Sequence, residues 1–211
     1  VAIVSEDIRK STECISKRKD NIVLIQNCQD YQQVLRRSER ILSFEENTLS
    51  TVTLDELKKI LEGPGTKIIN IGRYSKEKGH ERLIRAFDRF WKEHKDAYLV
   101  IVGGTGNLYE QTCSLAKSMA SGENIVLIRT MGNPMPLLKA CDFFVMSSFY
   151  EGLGIVLMEA NILGLAVAAC DVPGPSGFLK KYGGTLLENS EDGLLKGMEL
   201  FEQGKITPMH V

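Results

Sequence analysis

The chain has 211 residues, 43% hydrophobic and 25% charged, the balance of an ordinary globular protein, which excludes disordered, collagen-like and coiled-coil architectures. Its 26 Lys and Arg nearly cancel its 27 Asp and Glu, so the basic excess typical of proteins that live on phosphate backbones is missing and nucleic acid is not expected as a partner. The longest apolar run, Ile162 to Cys170, is too short to span a bilayer, and no charged-then-apolar leader is read at the start.

Taken in chain order, Ser5 is expected to cap a helix to about Lys17, Asn21–Gln26 reads as a strand, and Tyr31–Ile41 as a helix. A polar, acidic stretch around Glu45–Asn47 precedes a short amphipathic helix over Leu54–Leu61. One strand and three helices bury too little surface to fold alone. Residues 1–65 are therefore expected to be the tail of a preceding domain plus a connector, and Val1 in place of an initiating Met fits an excised or processed segment. Gly63-Pro64-Gly65 marks the entrance to a second unit, residues 66–211.

In that unit, short runs rich in Val, Ile and Phe recur at Lys67–Ile71, Tyr98–Val102, Asn124–Ile128, Asp142–Met146 and Leu165–Ala169. Each is nearly continuous in apolar residues, as a strand covered on both faces requires. The gaps hold predicted helices at Lys78–His94, Leu108–Met119, Pro136–Ala140 and Ile155–Leu163. Alternating strand and helix predict an α/β fold, a Rossmann-like parallel sheet with helices on both faces. Pro173-Gly174-Pro175 punctuates the chain again near its end.

Ligands of such sheets bind at the carboxyl ends of the strands. After Ile71 come Gly72-Arg73 and, at the next helix start, Lys78-Gly79, two cations able to grip a diphosphate or simply to form a solvated turn. After Val102 comes Gly103-Gly104-Thr105-Gly106, either a place for close ligand approach or a tight strand-to-helix turn. A dinucleotide fingerprint would need a third glycine at Tyr109 and an acid where Arg129-Thr130 stand, so a nicotinamide cofactor is disfavoured. After the fourth run, Glu151 sits in a loop and Glu159 in an otherwise apolar helix, with Gly152 and Gly154 between them. The amides of Gly154, Ile155 and Val156 would be available to an anion. Glu159 in that company needs a partner, either a ribose diol or an intramolecular donor. Cys14, Cys28, Cys113, Cys141 and Cys170 are widely spaced, and the three histidines are scattered, so no metal site or disulfide framework is expected, only buried thiols in a reducing cytoplasm.

Together these elements resemble the donor-binding half of a family 4 glycosyltransferase of the GT-B architecture. Gly72, Arg73, Lys78 and Gly79 match its G-R-x4-K-G element, and Glu151-Gly152-Leu153-Gly154 through Glu159-Ala160 match its E-x7-E signature, with Leu153 where Phe is usual. Pro136–Ser148 and the stretch from Asp171 through Leu187-Glu188 are similar to the segments flanking that signature. Gln26-Asn27-Cys28-Gln29-Asp30 resembles the family's P-N-G-x-D crossover, with Gln26 and Cys28 in place of Pro and Gly. The resemblance implies retaining transfer from a nucleotide-diphospho-sugar donor to an acceptor hydroxyl, with no cofactor and no protein-held metal. Arg73 and Lys78 would hold the diphosphate, aided by Gly104 and the amides of Gly154, Ile155 and Val156. Glu151 would lie against the sugar, Glu159 would bond the ribose, and Arg129 and Thr130 would border the base. It further implies a cytoplasmic enzyme of bacterial surface-polysaccharide or teichoic-acid-type synthesis, with peripheral membrane contact only. Its glycan or lipid-linked acceptor would be held by the other half, leaving residues 1–211 inactive alone. A nucleotide-binding module without catalysis and a GT-B nucleotide-sugar epimerase stand as alternatives.

Overall fold

A computed structural model describes residues 2–3, 13, 23–24, 29–152 and 154–208. The expected Ser5–Lys17 helix, apart from helical Glu13, lies outside the described residues, as do Cys14, the Gln26–Cys28 part of the crossover motif, and Leu153. Two short strands, β1 (Ala2–Ile3) and β2 (Val23–Leu24), pair in parallel.

The main sheet contains β3 (Lys67–Ile71), β4 (Tyr98–Val102), β5 (Ile125–Ile128), β6 (Phe143–Met146), β7 (Ala166–Cys170) and β8 (Thr185–Leu187). All six are parallel, in the order β5-β4-β3-β6-β7-β8. The chain moves outward from β3 to β5, then returns to the far side of β3 and moves outward again to β8. The carboxyl ends of β3 and β6 therefore stand side by side with no crossover helix lying across them, the arrangement that opens a crevice in doubly wound sheets.

Side chains alternate between two cores, as the pleat dictates. Ile68, Leu99, Ile101, Leu127, Phe143 and Val145 point to one face. There α3 (His80–Trp91), α4 (Tyr109–Ser118) and α8 (Glu191–Glu202) supply Leu83, Phe87, Ala116, Leu194 and Met198. Ile69, Val100, Val126, Ile128, Phe144 and Val167 point to the other. That face is covered by α1 (Tyr31–Ser38), α2 (Leu54–Glu62), α5 (Met135–Lys139), α6 (Ile155–Ile162) and α7 (Pro175–Tyr182).

The segment before the Gly-Pro-Gly turn thus shares this core. Thr53 and Glu56 close a capping box at the start of α2, and Leu57 behind it is fully buried, worth about 2 kcal/mol against exposure. Ser50 bridges antiparallel to Ile128, with the Thr51 amide donating to Leu127 O (3.0 Å) and Arg129 N to Leu49 O (2.7 Å). This clip satisfies the edge of β5 that would otherwise offer unpaired backbone groups.

Two helices that periodicity did not predict are α7 and α8. Gly193 and Gly197 argue against a helix by propensity, yet a Cβ at either would lie 2.1 Å from Glu188 O or 2.7 Å from a Leu187 methyl. These glycines let α8 pack directly against the end of β8. In α7, Pro175 begins the helix, and the apolar pair Phe178 and Leu179 gives too short a pattern to stand out.

The β3–β6 ladder holds only two register pairs, Ile68↔Phe143 and Ile69↔Phe144. Beyond it a side chain takes over. Buried Asn70 donates its amide to Val145 O (2.7 Å), so its Oδ1 must accept from His80 Nε2 (3.1 Å), which assigns that tautomer. Burial, aided by the positive charge of Lys78, pushes the His80 pKa down to about 4. The unfolded chain then takes up a proton between about pH 6.5 and 4 that the native chain refuses. The contribution of neutral His80 is complete above pH 6.5 and is lost as pH falls, with a slope of up to about 1.4 kcal/mol per pH unit. Urea unfolding at pH 7, 6 and 5 should show this slope reduced in His80→Gln; parallel pH profiles for the two proteins would contradict it.

Candidate functional site

The crevice at the ends of β3 and β6 is a cleft of about 430 Å³. The turn after β3 brings Gly72, Arg73 and Lys78 to it, and the turn after β4 brings Gly104. The loop after β6 brings Glu151, and the start of α6 brings Gly154, Ile155 and Val156. A larger hollow of about 670 Å³ opens between α3 and α4 on the outer side of the same turn. Its exposed charges Arg85 and Glu81 pair with each other along α3 (3.0 Å), whereas the smaller cleft gathers groups from four strand ends. The smaller cleft is the better site on chemistry and on topology.

At its centre the Lys78 ammonium bonds the Glu151 carboxylate, residues separated by 73 positions in sequence, with both side chains less than one-fifth exposed. The stem of Lys78 lies across Gly72, where a Cβ would stand 3.2 Å from Lys78 Cδ. The two turns are also stitched through their backbones: Ser147 Oγ donates to Lys78 O (2.8 Å) and the Phe149 amide to Glu77 O (2.8 Å). Ser148 Oγ donates to Glu151 Oε2 (3.4 Å). Arg73 is mostly exposed at the rim and pairs with Glu77 (3.1 Å).

The glycines of the second turn divide by purpose. A Cβ on Gly103 would fall 2.1 Å from the ring of Tyr74, and one on Gly106, at φ 138°, 2.3 Å from Tyr74 O. Tyr74 is fully buried with its hydroxyl between Ile101 O (3.0 Å) and Ile128 O (3.1 Å), and burial raises its pKa. Gly103 and Gly106 are therefore small because Tyr74 fills the space. Gly104 has nothing within 4 Å of its Cβ position and faces open cleft.

Gly154 takes a left-handed conformation (φ 74°) to begin α6, whose first-turn amides include Ile155 and Val156, donors with no acceptor inside the helix. The Pro173-Gly174-Pro175 turn packs on the same loop: a Cβ on Gly174 would lie 1.7 Å from Gly152 O. The second glycine-proline cluster thus buttresses the glutamate loop, a contact that spacing alone does not reveal.

Three residues expected at the site lie off the cleft lining. Arg129 leans toward the Tyr109 ring (5.7 Å), and Thr130 is exposed beside it. The cleft is walled at that strand end by Met131 and Pro134, which the rule selecting strand ends could have reached had it been carried a few residues further. Glu159 lies on α6 beside the connector, where Gln29 Nε2 donates to its Oε1 (3.4 Å). Burial pushes its carboxyl above the ordinary value, while the nearby Arg37 guanidinium pulls it back. Met146, at the end of β6, adds an apolar side chain to the lining. Among the described residues, no three of His, Cys, Asp and Glu come together as a metal-binding group.

Residues 55–210 match the protein family described as Glycosyl transferases group 1. An uncharacterized glycosyltransferase of Methanocaldococcus jannaschii is 37% identical over 103 residues, 49% of this chain and 25% of that protein. The N-acetylgalactosamine-N,N'-diacetylbacillosaminyl-diphospho-undecaprenol 4-alpha-N-acetylgalactosaminyltransferase of Campylobacter jejuni is 32% identical over 145 residues, 66% of this chain and 38% of its own length. Among solved structures, Anabaena HepE in complex with UDP and glucose shares the fold with a TM-score of 0.76 at 17% identity, covering 98% of this chain and 54% of that one. The chain spans little more than half of that structure and less of the two sequence relatives.

Substitutions at the turn after β4 and on α6 test this packing. Gly103→Ala should cost about 2–3 kcal/mol through collision with Tyr74, while Gly104→Ala should unfold within about 0.5 kcal/mol of wild type in the same urea titration. Equal losses would remove the distinction between them. For Glu159 the folded pKa is raised, so its contribution is most favourable when protonated and is lost as pH rises. Glu159→Gln should accordingly melt above wild type at pH 7, with the gap closing toward pH 4; a constant gap would argue against a buried charge.

Proposed function

Because the chain belongs to the group 1 glycosyl transferases, we propose that it forms the donor-binding half of such an enzyme and takes a nucleotide-diphospho-sugar in the cleft between β3 and β6. The observation that carries this reading is the Lys78–Glu151 contact beside the first turn of α6. A cation, a carboxylate and free helix amides converge there, matching the charge of a diphosphate and the hydroxyls of an attached sugar.

In this reading the diphosphate takes Lys78 away from Glu151, with Arg73 swinging in from the rim and the Ile155 and Val156 amides closing the shell. Glu151, released, accepts hydrogen bonds from the donor sugar. As the bond from the anomeric carbon to the diphosphate breaks, negative charge grows on the leaving oxygens, and the positioned cations stabilise it. Because Arg73 and Lys78 supply that charge, the reaction requires no protein-held metal. Transfer is retaining: a hydroxyl oxygen of a glycan or lipid-linked acceptor bound by another part of the protein bonds to the anomeric carbon, and its proton passes to the departing diphosphate oxygen. Glu159, raised by burial and bonded only weakly by Gln29, accepts from the ribose diol, and the wall at Met131 and Pro134, with Arg129 and Thr130 just behind it in sequence, borders the base.

The Campylobacter relative's name denotes sugar transfer to an undecaprenol-linked acceptor, which supports a cytoplasmic, membrane-peripheral place in surface-glycan synthesis. No helix among the described residues is long and apolar enough to cross a membrane. Binding without turnover is the reading for residues 1–211 by themselves, supported by their covering 54% of the HepE chain.

Calorimetric titration with UDP, GDP, ADP and CDP and their sugar conjugates tests the proposal. One base should bind selectively, and Arg73→Ala should weaken that binding about tenfold, the effect of losing a charge-assisted hydrogen bond. Glu151→Gln should bind the bare diphosphate as well as or better than wild type but lose affinity for the sugar conjugate. Equal effects on both ligands would contradict the role given to Glu151, and absence of any binding would contradict the donor site.

A further inference from the structure

We propose that Arg82, a residue outside the cleft, is the positioning residue that sets the reach of Glu151 toward Lys78. Arg82 lies in the first turn of α3 with only 7% of its surface exposed. Burying a guanidinium costs several kcal/mol unless its donors are satisfied, and among the described residues no carboxylate pairs with it. Its partners are carbonyls. Nε donates to Ser147 O (2.9 Å), and Nη2 donates to Ser147 O (2.6 Å) and Ser148 O (2.9 Å). Nη1 donates to Asn189 Oδ1 (2.7 Å) in the turn leading to α8.

Those two carbonyls lie past the last ladder pair of β6, Met146↔Ala169, where the sheet supplies no donor. They are also the start of the loop that carries Glu151. A planar fork can hold two successive carbonyls in one orientation, which a lysine ammonium cannot do. The same guanidinium lies 3.8 Å from the centre of the Phe149 ring and so fixes an aromatic side chain that is 54% exposed.

Gly79 bears on the same point. A Cβ there would stand 2.3 Å from Ser147 O and 2.9 Å from Arg82 Nε. The glycine that follows Lys78 is thus needed for the loop and the guanidinium to meet over its backbone, in addition to its left-handed φ of 65°. Arg82 and Lys78, four positions apart with left-handed Gly79 between them, hold the same loop at two places, Arg82 by its root and Lys78 by its carboxylate. With the root fixed, the reach of Glu151 toward Lys78 is set from a fixed point three residues away.

The test compares Arg82→Lys with wild type in hydrogen exchange and in nucleoside diphosphate binding, with Arg85→Gln as the control on the same helix. The Phe149 amide, bonded to Glu77 O, should exchange at least about tenfold faster in Arg82→Lys, beyond any increase in the β4–β5 ladder. Affinity for the diphosphate should fall about tenfold, and Arg85→Gln should change neither. Uniform acceleration across the sheet, or none at Phe149, would overturn the proposal by reducing Arg82 to a general stabiliser or to no role. If Arg82→Lys does not fold, Asn189→Ala, which leaves the guanidinium in place but removes one arm of its grip, should still speed exchange at Phe149; unchanged exchange there also overturns it.

The binding arm rests on the donor-site reading, and Arg73→Ala separates the two. If wild type binds and Arg73→Ala binds about tenfold more weakly, while Arg82→Lys with a loosened loop binds as wild type, positioning by Arg82 is wrong and the donor site stands. If wild type binds no nucleoside diphosphate, the donor site is wrong and the exchange measurement alone decides whether Arg82 holds the loop.

Discussion

The contact between β3 and β6 is the constraint on which this structure turns. Parallel strands that follow one another in sequence are tied by the helix between them, but these two meet only because the chain reverses its direction of growth across the sheet. Their backbone ladder has two register pairs, and past it the join is made by side chains and loop atoms: Asn70 to Val145 O, Ser147 Oγ to Lys78 O, and the Phe149 amide to Glu77 O. A crevice and a set of polar groups arise from the same cause. Where the ladder stops, unpaired groups must find partners, and some of the partners found are charged.

The second theme is how much of the site's shape is set by residues that never face it. Tyr74 accounts for two of the glycines in the loop after β4, leaving Gly104 as the one with open space above it. Gly174 presses on Gly152 from a turn far along the chain. A motif rich in glycine therefore mixes two demands, packing beneath the loop and access above it, and only the position of each absent Cβ tells them apart.

Much of the fold was legible from residue types. The continuous apolar runs gave β3 and β4 to the residue and β5, β6 and β7 to within one, because strands buried on both faces leave no room for polar interruption. Helix α8 was not legible, since the two glycines that let it approach β8 count against helix formation when read locally. At the site, the cations after β3 and the glutamate after β6 were found from their place at strand ends, while their mutual contact was not, because nothing local links residues 73 positions apart. Arg129 and Thr130 show the resolution of the strand-end rule: it reached the end of β5, but the residues that line the cleft there are Met131 and Pro134. Arg82 reads from sequence as one more charged residue on a helix, and its role emerges only when the carbonyls it holds are seen.

The clip at Leu49–Thr51 has a mechanical side. Residues 29–48 run from that clip past the cleft rim, where Glu45 accepts from the Gly132 amide (2.7 Å), Arg37 Nε donates to Asn133 Oδ1 (3.2 Å), and Gln29 reaches Glu159. Val34 within the stretch and Leu57 just beyond the clip are both buried in the core, so the stretch is anchored on either side of the clip. The stretch is a strut whose far end is pinned to β5, and along its length it braces the rim at Gly132 and Asn133 on one side and at Glu159 on the other.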